Sequence, residues 1–236
     1  MEIQEATIPT PNGELKYRLT QGQSHQTLIF MHGLPGPSLH IRAVGDRLVE
    51  RLGWNGLSFH YRGCWGSTGE YALTKQHEDY VAVCEWLREV RKIPAPAQMT
   101  LGYSMGGYNL LRALSEGRVA GKAIALAPLT RIEGCGIDDA FFEEASGLLE
   151  MPPVKLKSQY ALLPAIDFAK VDKEISPLLS ILTAADDELF SEDYYQQQFH
   201  EKARSKWTSV PRANHLFEGV EKELEEGLFR LLSTTN

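Results

Sequence analysis

Cysteine is scarce in this chain. Three occur in 236 residues, Cys64, Cys84 and Cys135, odd in number and unevenly spaced. Such a set excludes a disulfide framework and suits a reducing compartment, so the cytoplasm is the expected location. No C-x-x-C pair occurs, which removes the usual thiolate spacing for zinc. No apolar run approaches the length of a membrane-spanning helix. The opening residues, Met1-Glu2-Ile3-Gln4-Glu5, are acidic and lead into no apolar stretch of the kind a secretory signal needs. Positive charge is also short: 24 Lys and Arg against 31 Asp and Glu leave a net charge of −7. With no basic tract and no arginine-rich arm, binding to a nucleic-acid backbone is excluded as the main task. Internal repeats, linkers and low-complexity segments are missing too.

What is present is an ordinary globular composition, 43% hydrophobic and 23% charged. The length suits one domain, 1–236, with a core of its own. Residues 2–8 and 13–20 alternate as two strands around the turn Pro9–Gly13, an edge hairpin. Thr27–Met31 is a continuous apolar run, the pattern of a strand covered on both faces. A helix over 39–52 follows, with Ile41, Val44, Leu48 and Leu52 on one face and Gly53 closing it. A strand is expected at 56–61, then a helix at 73–91 with Val81, Cys84, Leu87 and Val90 as its stripe. Gln98–Leu101, Lys122–Ala127, Leu178–Leu182 and 205–210 read as further strands. Helices are expected at 108–114, 191–204 (Ser191 its N-cap) and 216–232. Residues 130–175 break the alternation and read as a small cap insertion of short helices and loops. Strands alternating with helices predict a mostly parallel sheet of about eight strands with helices on both faces, and ligands at the carboxyl ends of the strands.

The chemistry gathers at those ends. Gly102-Tyr103-Ser104-Met105-Gly106, with Gly107 behind it, joins a strand to a helix. A serine on that sharp turn has its hydroxyl thrust out of the sheet, and side chains in place of the glycines would collide with the neighbouring strand and helix. This is a nucleophile elbow, although the pentapeptide alone is a short pattern that recurs by chance. A serine hydroxyl needs an adjacent imidazole to take its proton, and that imidazole needs a carboxylate to hold its tautomer. His215 follows the last strand. Asp186 and Asp187 end the one before it. His25, His77 and His200 fall where solvated loop or helix faces are expected, and His60 falls inside a strand. Met105 opens a helix with a free N–H, and Pro35 and Pro37 have none, which leaves Leu34 as the second backbone donor of an oxyanion hole.

Taken together, His32-Gly33-Leu34-Pro35-Gly36, Tyr61-Arg62-Gly63-Cys64-Trp65-Gly66-Ser67, the Gly102–Gly107 turn, Asp186-Asp187 and Asn214-His215 run in the order of the α/β-hydrolase superfamily. The chain resembles it over about residues 2–232, on its esterase- and peptidase-like branch. The resemblance implies the α/β-hydrolase fold, a serine hydrolase acting on a small acyl substrate, and no cofactor or metal. It makes His32 structural and assigns Arg62, Gly63 and Ser67 to shaping the sheet end, with Cys64 and Trp65 lengthening the usual spacer between the two glycines by one residue. In the superfamily the acid precedes two apolar residues and a helix start. Asp187 fits through Leu189, Phe190 and Ser191, whereas counting back to Pro177 favours Asp186, so Asp187 is preferred and Asp186 stays the alternative. A carboxylesterase-like activity is the central expectation; a peptidase, a thioesterase or a non-catalytic binding protein of the same fold are the alternatives. In the cap, Phe141, Phe142, Leu148, Leu149, Met151 and Tyr160 either line an apolar acyl pocket or pack the cap onto the sheet, packing being expected for most of them.

Overall fold

The computed structural model describes residues 2–119, 121–174, 179–199 and 206–233. Eight strands form one sheet in the order β1-β2-β4-β3-β5-β6-β7-β8. The hairpin β1 (Glu2–Thr10) and β2 (Gly13–Gln21) pairs from Thr10 opposite Gly13 out to Glu2 opposite Gln21. β1 is the edge strand and buries Ile8 alone. β2 runs antiparallel to β4 (Asn55–Phe59). From β4 onward every pairing is parallel, through β3 (Thr27–Met31), β5 (Gln98–Tyr103), β6 (Ala123–Leu126), β7 (Leu179–Ala184) and β8 (Trp207–Val210).

The parallel strands are apolar on both sides because both sides are covered. In β3, Leu28 enters a core with Val44 and Leu48 of α1 (Leu39–Leu52) and Leu224 and Leu228 of the last helix, α8 (Glu221–Ser233). The next residue, Ile29, points to the opposite core, with Val83 and Leu87 of α2 (Gln76–Glu89) and Leu110 and Leu111 of α3 (Met105–Ser115). That is the two-residue strand period meeting helices on each face. α1 begins at Ser38, whose hydroxyl accepts from the Ile41 N–H at 3.4 Å, and stops at Gly53 in the left-handed conformation (φ 67°). Both ends follow the ordinary physics of helix caps.

Several boundaries differ from the sequence expectation. α2 starts at Gln76, after a single 3-10 turn at Leu73–Lys75, and ends at Glu89. Val90 therefore lies beyond the buried stripe and is 61% exposed. β4 stops at Phe59, so His60 follows the strand instead of lying within it. β5 continues through Gly102 and Tyr103, which pair with Ala125 and Leu126 of β6. α8 starts at Glu221, five residues later than 216, because 211–220 is a chain of turns with Arg212 (φ 59°), Phe217 (φ 57°) and Gly219 (φ 75°) in left-handed geometry. Leu178, Pro177, His200 and the expected helix end at 200–204 lie outside the described residues; within them α7 covers Glu192–Gln196, and the Ser191 hydroxyl caps it through the Tyr194 N–H at 3.3 Å.

Among the described residues between β6 and β7 are the helices α4 (Asp139–Leu149), α5 (Pro153–Ala161) and α6 (Phe168–Glu174). Phe142, Leu156 and Tyr160 join the core that α2 and α3 share. Among the described residues no helix is long and apolar enough to cross a membrane.

Candidate active site

The turn from β5 into α3 is built by close approach. A methyl at Gly102 would come within 2.5 Å of the Gly106 carbonyl oxygen, and one at Gly106 within 2.2 Å of the Met31 carbonyl oxygen. Only glycine leaves room for that backbone contact. Ser104 itself takes φ 54°, ψ −114°, a conformation side chains rarely adopt, and its N–H is spent on the Leu126 carbonyl at 2.9 Å. The strain is stored where the hydroxyl is presented.

Two loops bring partners to it. Asp187 ends the turn after β7, and its Oδ1 accepts from the N–H groups of Leu189 (2.8 Å) and Phe190 (2.9 Å). That locks the carboxylate and leaves Oδ2 aimed at His215 Nδ1, 2.9 Å away. His215 Nε2 is 3.1 Å from Ser104 Oγ. Nδ1 carries the ring proton, since the carboxylate can only accept; Nε2 is then the free acceptor facing the serine hydroxyl. All three residues are buried, at 8%, 6% and 5% exposure for Ser104, Asp187 and His215. Asp186 does not join them: its side chain is exposed and its N–H donates to the Ala213 carbonyl at 2.9 Å.

The His215 loop is held by groups that sequence reasoning did not single out. The Tyr103 hydroxyl donates to the His215 carbonyl at 3.1 Å, and Glu188 Oε2 accepts from the His215 N–H at 3.1 Å. The Phe190 ring meets the imidazole edge-on at a centroid distance of 5.0 Å. No local pattern in the sequence announces these contacts, because each joins residues from separate strand ends.

On the other side of Ser104 runs the turn after β3. A methyl at Gly33 would lie 3.1 Å from Ser104 Cβ, so this turn packs directly on the serine. The N–H groups of Leu34 and Met105 have no acceptor among the described residues; Met105 is the first residue of α3, where N–H groups are unpaired and the helix dipole is positive. Both residues line a cavity of about 470 Å³ beside Ser104. Its other walls are largely apolar and include Phe141, Leu148 and Tyr160 of the 130–175 segment. Phe142 and Leu149 are instead buried in the core, and Met151 packs against it.

No hydrogen bond joins His25, His32, His60 or His77 to these three residues. His32 Nδ1 sits 2.7 Å from the Gly33 carbonyl, and burial, then the neighbouring charge of His60, lowers its pKa to about 3. Burial, then Lys16 and Arg42, lowers that of His60 to about 4. His77 is not solvated as expected: it is buried at 7% exposure, since the face of α2 it occupies packs toward Glu116, 3.5 Å away. His25 is exposed. Arg62 anchors its loop through a buried pair with Asp79, donating from the backbone N–H at 3.0 Å and from Nε at 2.7 Å. Burial pushes the Asp79 carboxyl up, against the opposing pull of that guanidinium. Among the described residues no group of three His, Cys, Asp or Glu side chains is placed to hold a metal ion.

No family model and no curated protein matches the chain. Solved structures do. An esterase from Pyrococcus furiosus is similar with a TM-score of 0.76 at 20% identity, over 98% of this chain and 89% of that one. A serine hydrolase without a lid from Xanthomonas campestris is similar at 0.70 and 19% identity, over 100% and 97% of the two chains. An α/β serine hydrolase homologue from Coxiella burnetii is similar at 0.68 and 20% identity, over 98% and 97%. Each likeness covers nearly the whole of this chain.

Proposed function

The chain has the α/β-hydrolase fold, and on that premise we propose that it is a serine hydrolase with Ser104 as nucleophile, His215 as general base and Asp187 as the carboxylate that orients it. The observation that carries this reading is the unbroken line from Ser104 Oγ to His215 Nε2 (3.1 Å) and from His215 Nδ1 to Asp187 Oδ2 (2.9 Å). Ser104 attacks an acyl carbonyl while its proton passes to Nε2. The oxygen that becomes negative is met by the N–H groups of Leu34 and Met105, donors that strengthen as charge develops. His215 returns the proton to the leaving oxygen, then activates a water that releases the acid from the acyl-serine. No step calls for a cofactor.

The substrate class supported best is an ester of a small or medium acyl group, because the cavity beside Ser104 has mainly apolar walls. In this reading residues 130–175 form a cap on a single domain and supply part of that wall. The three cysteines, all free thiols, suit a reducing compartment such as the cytoplasm. The test is intact-mass spectrometry after exposure to a fluorophosphonate, with short-chain nitrophenyl esters assayed in parallel. One adduct that vanishes in Ser104→Ala, with turnover falling by about 10⁴-fold or more, is the expected result. Well-folded protein that takes no adduct and turns over no ester would sink the enzyme reading in favour of a binding role.

A further inference from the structure

The loop between β4 and α2 carries a tryptophan in an unfavourable place. Trp65 has φ 51°, a left-handed backbone that a bulky residue rarely adopts. The residue is 40% exposed, so burial alone gives little reason for it. The loop around it is firmly tied. Ser67 Oγ donates to the His60 carbonyl at 2.8 Å and accepts from the Lys16 N–H at 2.9 Å, and the Gly63 N–H donates to the Thr68 carbonyl at 3.0 Å. The Arg62–Asp79 pair holds its start.

From that fixed base Trp65 reaches across to the turn after β3. Its indole N–H donates to the Pro35 carbonyl at 2.8 Å. Its ring lies so close on Gly36 that a methyl there would come within 2.7 Å of it. The turn it grips has little to hold itself in place: Pro35 and Pro37 carry no N–H, and the Leu34 N–H points to no acceptor among the described residues. Trp65 and Leu148 are also the two residues shared by the walls of the 470 Å³ cavity beside Ser104 and of a second cavity of about 330 Å³. They stand between the two.

We propose that Trp65 is a positioning and specificity residue: its N–H holds the Leu34–Gly36 turn at the height from which the Leu34 N–H meets the developing oxyanion, and its ring, with Leu148, closes the acyl cavity. The proposal rests on the serine-hydrolase reading of Ser104. A donor that acts on charge present only in the transition state changes kcat and leaves substrate binding nearly untouched.

The experiment compares wild type, Trp65→Phe and Trp65→Ala on nitrophenyl esters from acetate to decanoate, with thermal melts and fluorophosphonate labelling of each. Trp65→Phe keeps a ring in the wall and removes the N–H. It is expected to lower kcat about tenfold, a fraction of the effect of deleting an oxyanion donor, with KM within about threefold, the melting temperature unchanged and the preferred chain length the same. Trp65→Ala is expected to move the preference to longer chains by joining the two cavities. Wild-type turnover with an unaltered kcat in Trp65→Phe overturns the positioning role, and an unaltered chain-length preference in folded Trp65→Ala overturns the wall. Wild type that is neither labelled nor active overturns the Ser104 reading itself, and this proposal with it. Should Trp65→Ala fail to fold, Leu148→Ala tests the same wall.

Discussion

Two histidine-centred clusters lie at carboxyl ends of the strands, His215 after β8 and His32 with His60 after β3 and β4, and they are built on opposite principles. Around His215 every polar ring atom has a partner: Asp187 on one nitrogen, Ser104 on the other. Around His32 and His60, whose ring centroids are 5.4 Å apart, Nε2 of the first and Nδ1 of the second have no hydrogen-bond partner among the described residues. Each of these rings is held neutral by burial and by a nearby positive or protonatable group. An imidazole beside a carboxylate has a counter-charge for the cation it becomes when it takes a proton. One without that partner is a rigid wedge of the fold that resists protonation. His215 is buried and His32 and His60 are partly buried; the carboxylate makes the difference.

The comparison is tested most severely at the carboxylate. Asp187→Asn is expected to lower kcat by about 10⁴-fold, by removing the charge and allowing the wrong ring tautomer, while Asp186→Asn stays within about twofold. Ester assays with melting curves decide it, and equal losses in the two variants would mean that the turn rearranges in solution. Next comes the exchange of the histidines themselves. His215→Gln is expected to abolish ester turnover with a small change in melting temperature. His60→Gln is expected to keep turnover within a few fold and to shift stability by about 1 kcal/mol, the ordinary cost of altering a packed polar group. If His60→Gln were as inactive as His215→Gln, the division between the two regions would fail.

The smallest effect is one of pH. His32 and His60 titrate near 3 and 4 in the folded chain, against 6.5 for a free imidazole. Between about pH 4 and 6.5 the unfolded chain therefore binds protons that the folded chain refuses. Stability from this pair is fully present above pH 6.5 and is lost as pH falls through that window. Denaturant midpoints measured from pH 7.5 to 4.5 should decline, and His60→Gln should flatten the decline. A midpoint that is level in wild type over this range would show that the two rings are hydrated in solution.

Much of the fold was legible because its signals are local. The Thr27–Met31 run, the Ser38–Gly53 frame of α1 and the glycines around Ser104 each lie within a few residues of what they shape, and each has one economical conformation. Errors fell where no local signal exists. Val90 continues the stripe of α2 by spacing, yet the helix ends one residue before it. The 216–220 stretch is expected to be helical, yet Phe217 and Gly219 take left-handed geometry there and the helix starts at Glu221. The 3.6-residue period says nothing about where a helix is cut, and His77 shows the same limit on the polar side: a charged neighbourhood in sequence was a packed face in space.

What the sequence determined by itself was the order of the parts: a parallel sheet with two covered faces, a serine on a glycine-flanked turn, and an acid and a histidine placed at later strand ends. Those follow from turn sterics, caps and periodicity, which act over a handful of residues. Only the tertiary structure decided which of Asp186 and Asp187 meets His215, since adjacent residues in a turn point in different directions and the partner lies 28 positions away. It likewise decided that Trp65 hydrogen-bonds to Pro35, 30 positions distant, and that His215 stands over Ser104 across 111. Such contacts depend on how whole strands are set side by side, and no short stretch of the chain carries that information.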